Sequence, residues 1–311
     1  MKNKGFIYIL TLMIITLLAV FFYFMYSFSE NSLNINFYKL EKIQSKYMAE
    51  SAINAALSNE NIINELEEFA INDKEMVNLK NTVELKDTKI EKLTLYNKST
   101  IKMDYAELKS VIKYKKSDAY SLLKFNFVNK IYKEEDGVLN TSKIDSENIE
   151  SIRNLFINNN YSGENLVELN GDFNLDYKNE KLLITEDIEY YDENTNEIIK
   201  EEKIVKTLKY SDIIYQDSGT LNIKKGARIG LLIINDKVIF NDNNLFGIII
   251  LNKNASIYNN CKLKGYLIDL YDINNSINTI FEYRTVKSYG KVLPEFIKIQ
   301  TISLNHYDLE N

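Results

Sequence analysis

The sequence is poor in the residues that most often carry catalysis, metal binding and covalent cross-linking. Of its 311 residues, one is cysteine, one is histidine and none is tryptophan. A single thiol, Cys261, cannot close a disulfide within the chain. The lone His306 leaves almost no material for a serine–histidine or cysteine–histidine dyad, or for a multi-histidine metal site. The sequence therefore predicts no catalytic residue, no metal site and no cofactor.

An excess of basic charge is also lacking. The 38 Lys and Arg residues are outnumbered by 44 Asp and Glu, which gives a formal net charge of -6. A protein that binds nucleic acid normally presents a basic face to the phosphates, so we predict no nucleic-acid partner. Hydrophobic residues make up 45% of the chain, which is enough to bury a core.

Proline and glycine are absent between Phe6 and Phe69, so no helix breaker interrupts this stretch. Its first part, residues 6–28, has no charged side chain and as a helix would span roughly 34 Å, enough for a bilayer core of about 30 Å. Aromatic residues stand at its far end, where a signal-peptidase site would have small ones. The sequence therefore predicts a transmembrane helix in contact with membrane lipid.

The charges that flank this span predict its orientation. Lys2 and Lys4 precede the span and Glu30 follows it. By the positive-inside rule the N-terminus lies in the cytoplasm, and the rest of the chain lies outside the cell membrane. We predict a single-pass membrane protein with extracytoplasmic C-terminal domains.

The pattern of residues 29–71 predicts an amphipathic helix that continues outward from the membrane. Apolar residues recur at mostly three- and four-residue spacings along it. They are Leu33, Phe37, Leu40, Tyr47, Met48, Ala52, Ala55, Ala56, Ile62, Ile63, Leu66 and Phe69. Asn31, Asn34 and Asn36 mark a candidate break near the membrane surface.

The start of the chain combines a very short leader, an apolar helix and a small-residue segment. The leader, residues 1–5, contains Lys2 and Lys4 and ends in Gly5, Phe6 opens the helix, and the segment AESA consists of Ala49, Glu50, Ser51 and Ala52. Over roughly the first 60 residues this combination resembles the type IV pilin superfamily. The resemblance is strongest to PilX-like minor pilins and to the pseudopilins of type II secretion.

The resemblance implies processing and partners. It implies that a membrane-embedded prepilin peptidase cuts after Gly5, which makes Phe6 the new N-terminus. It also implies packing with other pilin-like subunits and contact with a membrane assembly machinery. Most pilins carry a glutamate five residues beyond the glycine, where this chain has Leu10. The competing interpretation is an uncleaved signal anchor, which would share the basic leader and the apolar helix.

Residues 72–211 predict an α+β head domain. Segments such as KLTLYN and SLLKFNFVNKIYK alternate apolar and polar residues, which favours half-buried strands in an antiparallel sheet. A helix is predicted in DSENIESIRNLFINN, where Asp145 or Ser146 can cap it.

Residues 212–285 contain a repeat aligned on Gly230, Gly247 and Gly265, with periods of 17 and 18 residues. Each copy has a four-residue apolar run and a corner rich in Asn or Asp, and residues 218–229 resemble a partial first copy. This pattern predicts a short β-solenoid, with an ordinary β-meander as the alternative. The predicted inward column is Leu232, Ile234, Ile239, Ile249, Leu251 and Leu267. Residues 286–311 form a C-terminal tail.

Together these features predict an α+β protein with a long N-terminal helix, an antiparallel β-rich head and a C-terminal β-solenoid. The predicted function is that of a non-enzymatic, membrane-anchored minor pilin or pseudopilin-like subunit, acting in assembly or at the tip of a filament. The alternative is a membrane-anchored adhesin or a glycan-binding solenoid protein. Glycan cleavage is disfavoured because Asp236, Asp242 and Asp269 occupy different positions in the repeat.

Overall fold

The fold was analysed in a computed structural model of the chain, which describes residues 4–72, 74–80, 84–98, 105–157, 165–179, 181–192, 197–209, 211–224, 228–241 and 244–308. The helices are Lys4–Leu57 (α1), Glu60–Ile71 (α2), Ile149–Ile157 (α3) and Tyr283–Ser288 (α4). The strands are Met76–Asn78 (β1), Thr88–Asn97 (β2), Tyr105–Tyr114 (β3), Ser117–Val128 (β4), Val138–Asn140 (β5), Leu166–Asn170 (β6), Phe173–Lys178 (β7), Lys181–Asp192 (β8), Glu197–Leu208 (β9), Ile213–Ser218 (β10), Thr220–Ile223 (β11), Arg228–Ile234 (β12), Lys237–Phe240 (β13), Asn244–Leu251 (β14), Ser256–Tyr258 (β15), Cys261–Asp269 (β16), Ile277–Phe281 (β17) and Ile297–Asp308 (β18).

The long N-terminal helix is continuous. α1 has 54 residues, which corresponds to about 81 Å at 1.5 Å per residue. It passes through Asn31, Asn34 and Asn36 without the break considered for these positions, since asparagine lowers helix propensity only modestly. The helix instead ends at Leu57, and α2 starts after Ser58 and Asn59. The Asn59 side chain accepts a hydrogen bond from the Asn61 amide at 3.0 Å, as an N-cap does.

The chain forms two compact units. The first comprises residues 1–69, 73–125 and 300–311, and the second comprises residues 70–72 and 126–299. These limits differ from the predicted boundary between residues 211 and 212. Strand pairing explains the difference, because a parallel pair joins β6, within the predicted head, to β10 in the predicted solenoid.

In the first unit, a five-stranded sheet (sheet A) has the order β1-β2-β3-β4-β18. β2 pairs antiparallel with both β1 and β3. Buried and half-buried residues alternate almost strictly along β3 and β4, as the sequence pattern predicts for strands with one face against a core. The C-terminal part of α1 packs on β2 and β3. Within the predicted tail, β18 (Ile297–Asp308) lies beside β4.

The second unit is a β-solenoid in which the chain alternates between two sheets. Sheet B has the order β17-β16-β14-β12-β10-β6, and sheet C has the order β15-β13-β11-β7-β8-β9. Neighbouring strands of successive rungs pair in parallel, which excludes the β-meander. The rung formed by β6 and β7 precedes the predicted repeat and is separated from it by the antiparallel hairpin β8–β9.

The solenoid core lies between sheets B and C. Five of the six residues predicted for the inward column are buried in it, namely Leu232, Ile234, Ile249, Leu251 and Leu267. The prediction for Ile239 was wrong, because Val238 and Phe240 are the buried residues of β13 and Ile239 is only half-buried between them. Successive side chains of a strand point to opposite faces, so a register error of one residue exchanges inside for outside. Cys261 is buried in the same core, as expected for a small apolar residue.

Candidate functional site

The first part of α1 presents apolar side chains to its surroundings in every direction. Phe6 is 70% exposed, and the side chains of this stretch are exposed as far as Tyr26. Among the described residues, α1 is the one helix that is both long enough and apolar enough to cross a membrane. It lies near the N-terminus. Such a helix is compatible with a single-pass membrane anchor.

The two threonine hydroxyls of this stretch are satisfied within the helix. The hydroxyl of Thr11 donates to the Ile7 carbonyl oxygen at 2.8 Å, and that of Thr16 donates to the Met13 carbonyl oxygen at 2.9 Å. A lipid environment offers no water to an unpaired hydroxyl, so these bonds lower the cost of insertion.

The positions implied for processing lie at the very start of the described chain. α1 begins at Lys4, so Gly5 and Phe6 belong to its first turn. Lys2 lies outside the described residues. Leu10 is 47% exposed on the helix surface and offers no charge there.

Beyond the predicted membrane span, α1 still exposes large apolar residues. Leu33, Ile35, Phe37, Tyr38, Leu40 and Ile43 are each at least half exposed. We name residues 31–43 the free helix segment. The predicted amphipathic stripe therefore has no cover here from the described residues of its own chain.

The last part of α1 packs on sheet A through small side chains. Ser45, Ala49, Ala52 and Ala56 are completely buried. Ala49 and Ala52, from the AESA segment, form one apolar cluster with Ile90, Ile112 and Tyr114. Small side chains at this contact allow the helix backbone to approach the sheet closely. We name this contact, from Ser45 to Ala56, the helix seat.

A polar contact joins the AESA segment to the last strand. Nε2 of His306 lies 3.6 Å from a carboxylate oxygen of Glu50, and Nδ1 of His306 lies 2.9 Å from Oγ of Ser121. A serine, a histidine and a carboxylate in this order are the components of a catalytic triad. However, Ser121 is completely buried on β4, so no substrate could reach its hydroxyl without rearrangement. The contact fastens α1, β4 and β18 together.

The repeat glycines stack in register. Gly230 pairs with Gly247, and Gly247 pairs with Gly265. A Cβ atom at Gly265 would lie 1.8 Å from the Gly247 carbonyl oxygen, and one at Gly247 would lie 2.4 Å from that of Gly230. Both distances are far inside van der Waals contact. These glycines are therefore needed for close stacking of the rungs.

Two of the three carboxylates considered for glycan cleavage accept hydrogen bonds from backbone amides. Asp236 accepts a hydrogen bond from the Gly219 amide at 2.9 Å. Asp269 accepts from the amides of Ile273 and Asn274 at 3.0 and 2.7 Å. Asp242 lies outside the described residues. No group of three or more His, Cys, Asp or Glu residues in the described parts of the chain is arranged to hold a metal ion.

No protein-family model matches the chain, and no curated protein matches it. Among solved structures, the chain matches the competence-associated pilin ComZ from Thermus thermophilus with 6% sequence identity. The match covers 86% of this chain and 98% of that one, with a TM-score of 0.26. A TM-score of this size does not establish a shared fold.

Proposed function

We propose that this chain is a single-pass, non-enzymatic subunit of a type IV pilus or a related secretion filament. It is similar in role to PilX-like minor pilins and pseudopilins, and it acts in assembly or at the filament tip. The observation that carries the proposal is the division of α1 into an exposed apolar part and the helix seat. One helix thus serves both as anchor and as support for an extracytoplasmic head.

The free helix segment supports a role in assembly. Residues 6–28 are long enough to span the hydrocarbon core, so lipid can cover them. The free helix segment follows that span and still exposes Leu33, Phe37 and Leu40. A contiguous apolar surface in water marks an interaction site. We infer that helices of other pilin-like subunits cover it.

The resemblance to pilins supplies the partners of this proposal. A prepilin peptidase would remove residues 1–5, the membrane assembly machinery would extract the helix, and other pilin-like subunits would receive it. A non-enzymatic role is supported by the burial of Ser121, which withdraws the hydroxyl beside His306 from any substrate.

The proposal is tested by the mature N-terminus. We expect intact-mass spectrometry of the full chain, expressed together with a prepilin peptidase, to show a protein that begins at Phe6. Gly5→Val should leave the leader attached, because a branched side chain at the cleavage position blocks the peptidase. Leu10→Val serves as the matched control and should be processed normally. A mature protein beginning at Met1 or Lys2 in the presence of the peptidase would identify a plain signal anchor.

A second candidate function is glycan binding at the cell surface. It is favoured by a polar groove at the starts of β14, β16 and β17 of the solenoid. It is compatible with a filament subunit, because the groove belongs to the second unit and involves none of α1.

A further inference from the structure

A polar groove of about 820 Å³ crosses the starts of three neighbouring strands of sheet B. Its polar lining consists of Asn244, Asn260, Lys262, Asn275, Ser276 and Asn278. The side chains of Asn244, Asn260 and Asn278 are exposed. An external ligand can therefore reach their amides, and each amide can both donate and accept a hydrogen bond.

Strand register arranges two rows of side chains on the outer face of sheet B. Asn244, Lys262 and Asn278 are paired neighbours in the first row, and Phe246, Lys264 and Ile280 are paired neighbours in the second. Residues between the rows, such as Leu245 and Leu263, point into the solenoid core. Neighbouring strands lie about 4.8 Å apart, so both rows repeat at that interval. A polymer lying across the strands would meet a new side chain of each row at every step.

The charge of this face is opposite to that of the chain. The formal net charge of the protein is -6. On the described outward positions at the starts of β12, β14, β16 and β17, the charged residues are Arg228, Lys262 and Lys264. Lys264 lies 3.5 Å from Glu282, whereas Lys262 has no ion pair with a described residue. A surface that is locally cationic on an acidic protein favours an anionic ligand.

An exposed aromatic ring completes the surface. Phe246 is 41% exposed, and the ammonium of Lys264 lies 5.8 Å from its ring centroid. The face of such a ring is an apolar platform, on which the C–H groups of a pyranose ring can pack.

We propose that this groove binds an acidic polysaccharide across the rungs of the solenoid. The asparagine amides pair with sugar hydroxyls, Lys262 pairs with a carboxylate of the polymer, and Phe246 supports a sugar ring. Double-stranded DNA fits less well, because three cations beside several amides would neutralise few of its closely spaced phosphates. Binding of this kind depends neither on N-terminal processing nor on filament assembly, so the two proposals fail separately.

The test uses the full chain purified in neutral detergent and three acidic polymers, namely polygalacturonate, alginate and hyaluronate. We expect binding of at least one, with an affinity that falls as sodium chloride is raised. If polygalacturonate binds, its methyl ester is the matched neutral ligand, and it should bind much more weakly. Failure of all three polymers, or equal binding of the ester, would overturn the proposal.

Two lysine variants locate the site. Lys262→Gln should weaken binding by about tenfold, because one charge-assisted contact is lost. Lys253→Gln removes the same charge from an exposed corner of the solenoid and should change affinity by no more than about twofold. Both variants should retain the melting temperature of the unaltered protein. Equal weakening by the two would indicate diffuse charge attraction, and tighter binding of double-stranded DNA than of any polysaccharide would also contradict the assignment.

Discussion

At the scale of single residues, Glu202 has the carboxyl group with the largest pKa shift in the described part of the chain. Its carboxylate accepts hydrogen bonds from Lys224 at 2.5 Å, from the Thr185 hydroxyl at 2.6 Å and from Lys178 at 3.1 Å. The hydrogen bond from Lys224 is the main cause that lowers the pKa of Glu202 to about 2, and partial burial opposes it. This cluster joins the hairpin strands β8 and β9 to β7 and to the end of β11.

We expect Glu202→Gln to destabilise the protein in a pH-dependent manner. Because the pKa of Glu202 is lower in the folded protein than in the unfolded chain, its stabilising effect is complete above about pH 4.5 and is lost as the pH falls toward 2. Near neutral pH the variant should lose about 1 kcal/mol of unfolding free energy, a modest value for a partly exposed cluster.

Denaturant unfolding of the full chain at a series of pH values measures this difference. The curves of the two proteins should converge as the pH falls below about 4.5. Glu201→Gln is the matched control, because Glu201 is exposed on the same strand and has no ion pair with a described residue. A deficit that persists unchanged at low pH would show that the loss is not electrostatic.

The contacts of His306 show what residue-level sequence reasoning could not predict. His306 lies 185 positions from Ser121, and only the pairing of β18 with its sheet brings them together. By contrast, the two rows of side chains on the outer face of sheet B had a signal in the sequence. Asn244 and Lys262 both stand three positions before a repeat glycine, and Phe246 and Lys264 both stand one position before it. Alignment on the glycines therefore brings them together, although it does not define the groove.

At the scale of elements, the solenoid depends on apolar residues stacked between its sheets. Ile249 is completely buried and is paired in register with Leu232 and Leu267. We expect Ile249→Asp to cost at least about 3 kcal/mol, because it places an unpaired charge in this core. Lys253→Asp, on an exposed corner, should be nearly neutral. Equal melting temperatures for the two variants would contradict a stacked core.

The earliest rung shows why the solenoid was predicted only in part. Gly219 stacks on Gly171, since a Cβ atom at Gly219 would lie 2.3 Å from the Gly171 carbonyl oxygen. These glycines are 48 positions apart in the sequence, far from the period of 17 or 18 residues. The hairpin β8–β9 occupies the difference. An insertion of this size hides a rung from any search at a fixed period.

The helix seat gives a second prediction at this scale. Ala52 is completely buried in the cluster that holds α1 on sheet A. We expect Ala52→Leu to destabilise the first unit by about 1–3 kcal/mol, because the larger side chain separates the helix from the strands. Asn54→Leu adds a leucine at an exposed position of the same helix and should have little effect. A lower melting temperature for Ala52→Leu alone would support the helix seat as a close contact. Equal melting temperatures for the two variants would argue against it.

At the scale of the whole molecule, the sequence predicted the order of parts better than their limits. The uncharged run of residues 6–28 and the absence of helix breakers predicted α1, because a helix satisfies its own backbone and needs no distant partner. The tail was not recognised as a strand, because β18 becomes part of sheet A only through pairing with a distant segment. Local pattern predicts elements, whereas pairing between distant strands sets the limits of the units.

Leu10 links the proposed function to the position of the subunit in a filament. The resemblance to pilins implies a glutamate at this position, which would pair with the N-terminal amine of a neighbouring subunit in an apolar medium. An amine left without a partner in such a medium is costly. Leu10 is an exposed apolar residue and cannot supply that partner. We therefore propose that the subunit is placed where no neighbour lies above it, at the tip or in a priming complex.

Leu10→Glu tests this placement in cells that assemble the filament. With antibody against the extracytoplasmic part of the chain, we expect the natural protein at filament ends or at the cell surface only, and the variant along the shaft. Leu12→Glu adds the same charge two positions further along the exposed helix and should not reach the shaft, because its carboxylate is not at the position that faces the neighbouring amine. Uniform labelling of shafts by the unaltered protein would refute the tip assignment, since an unpaired amine would then be tolerated at every step of the filament.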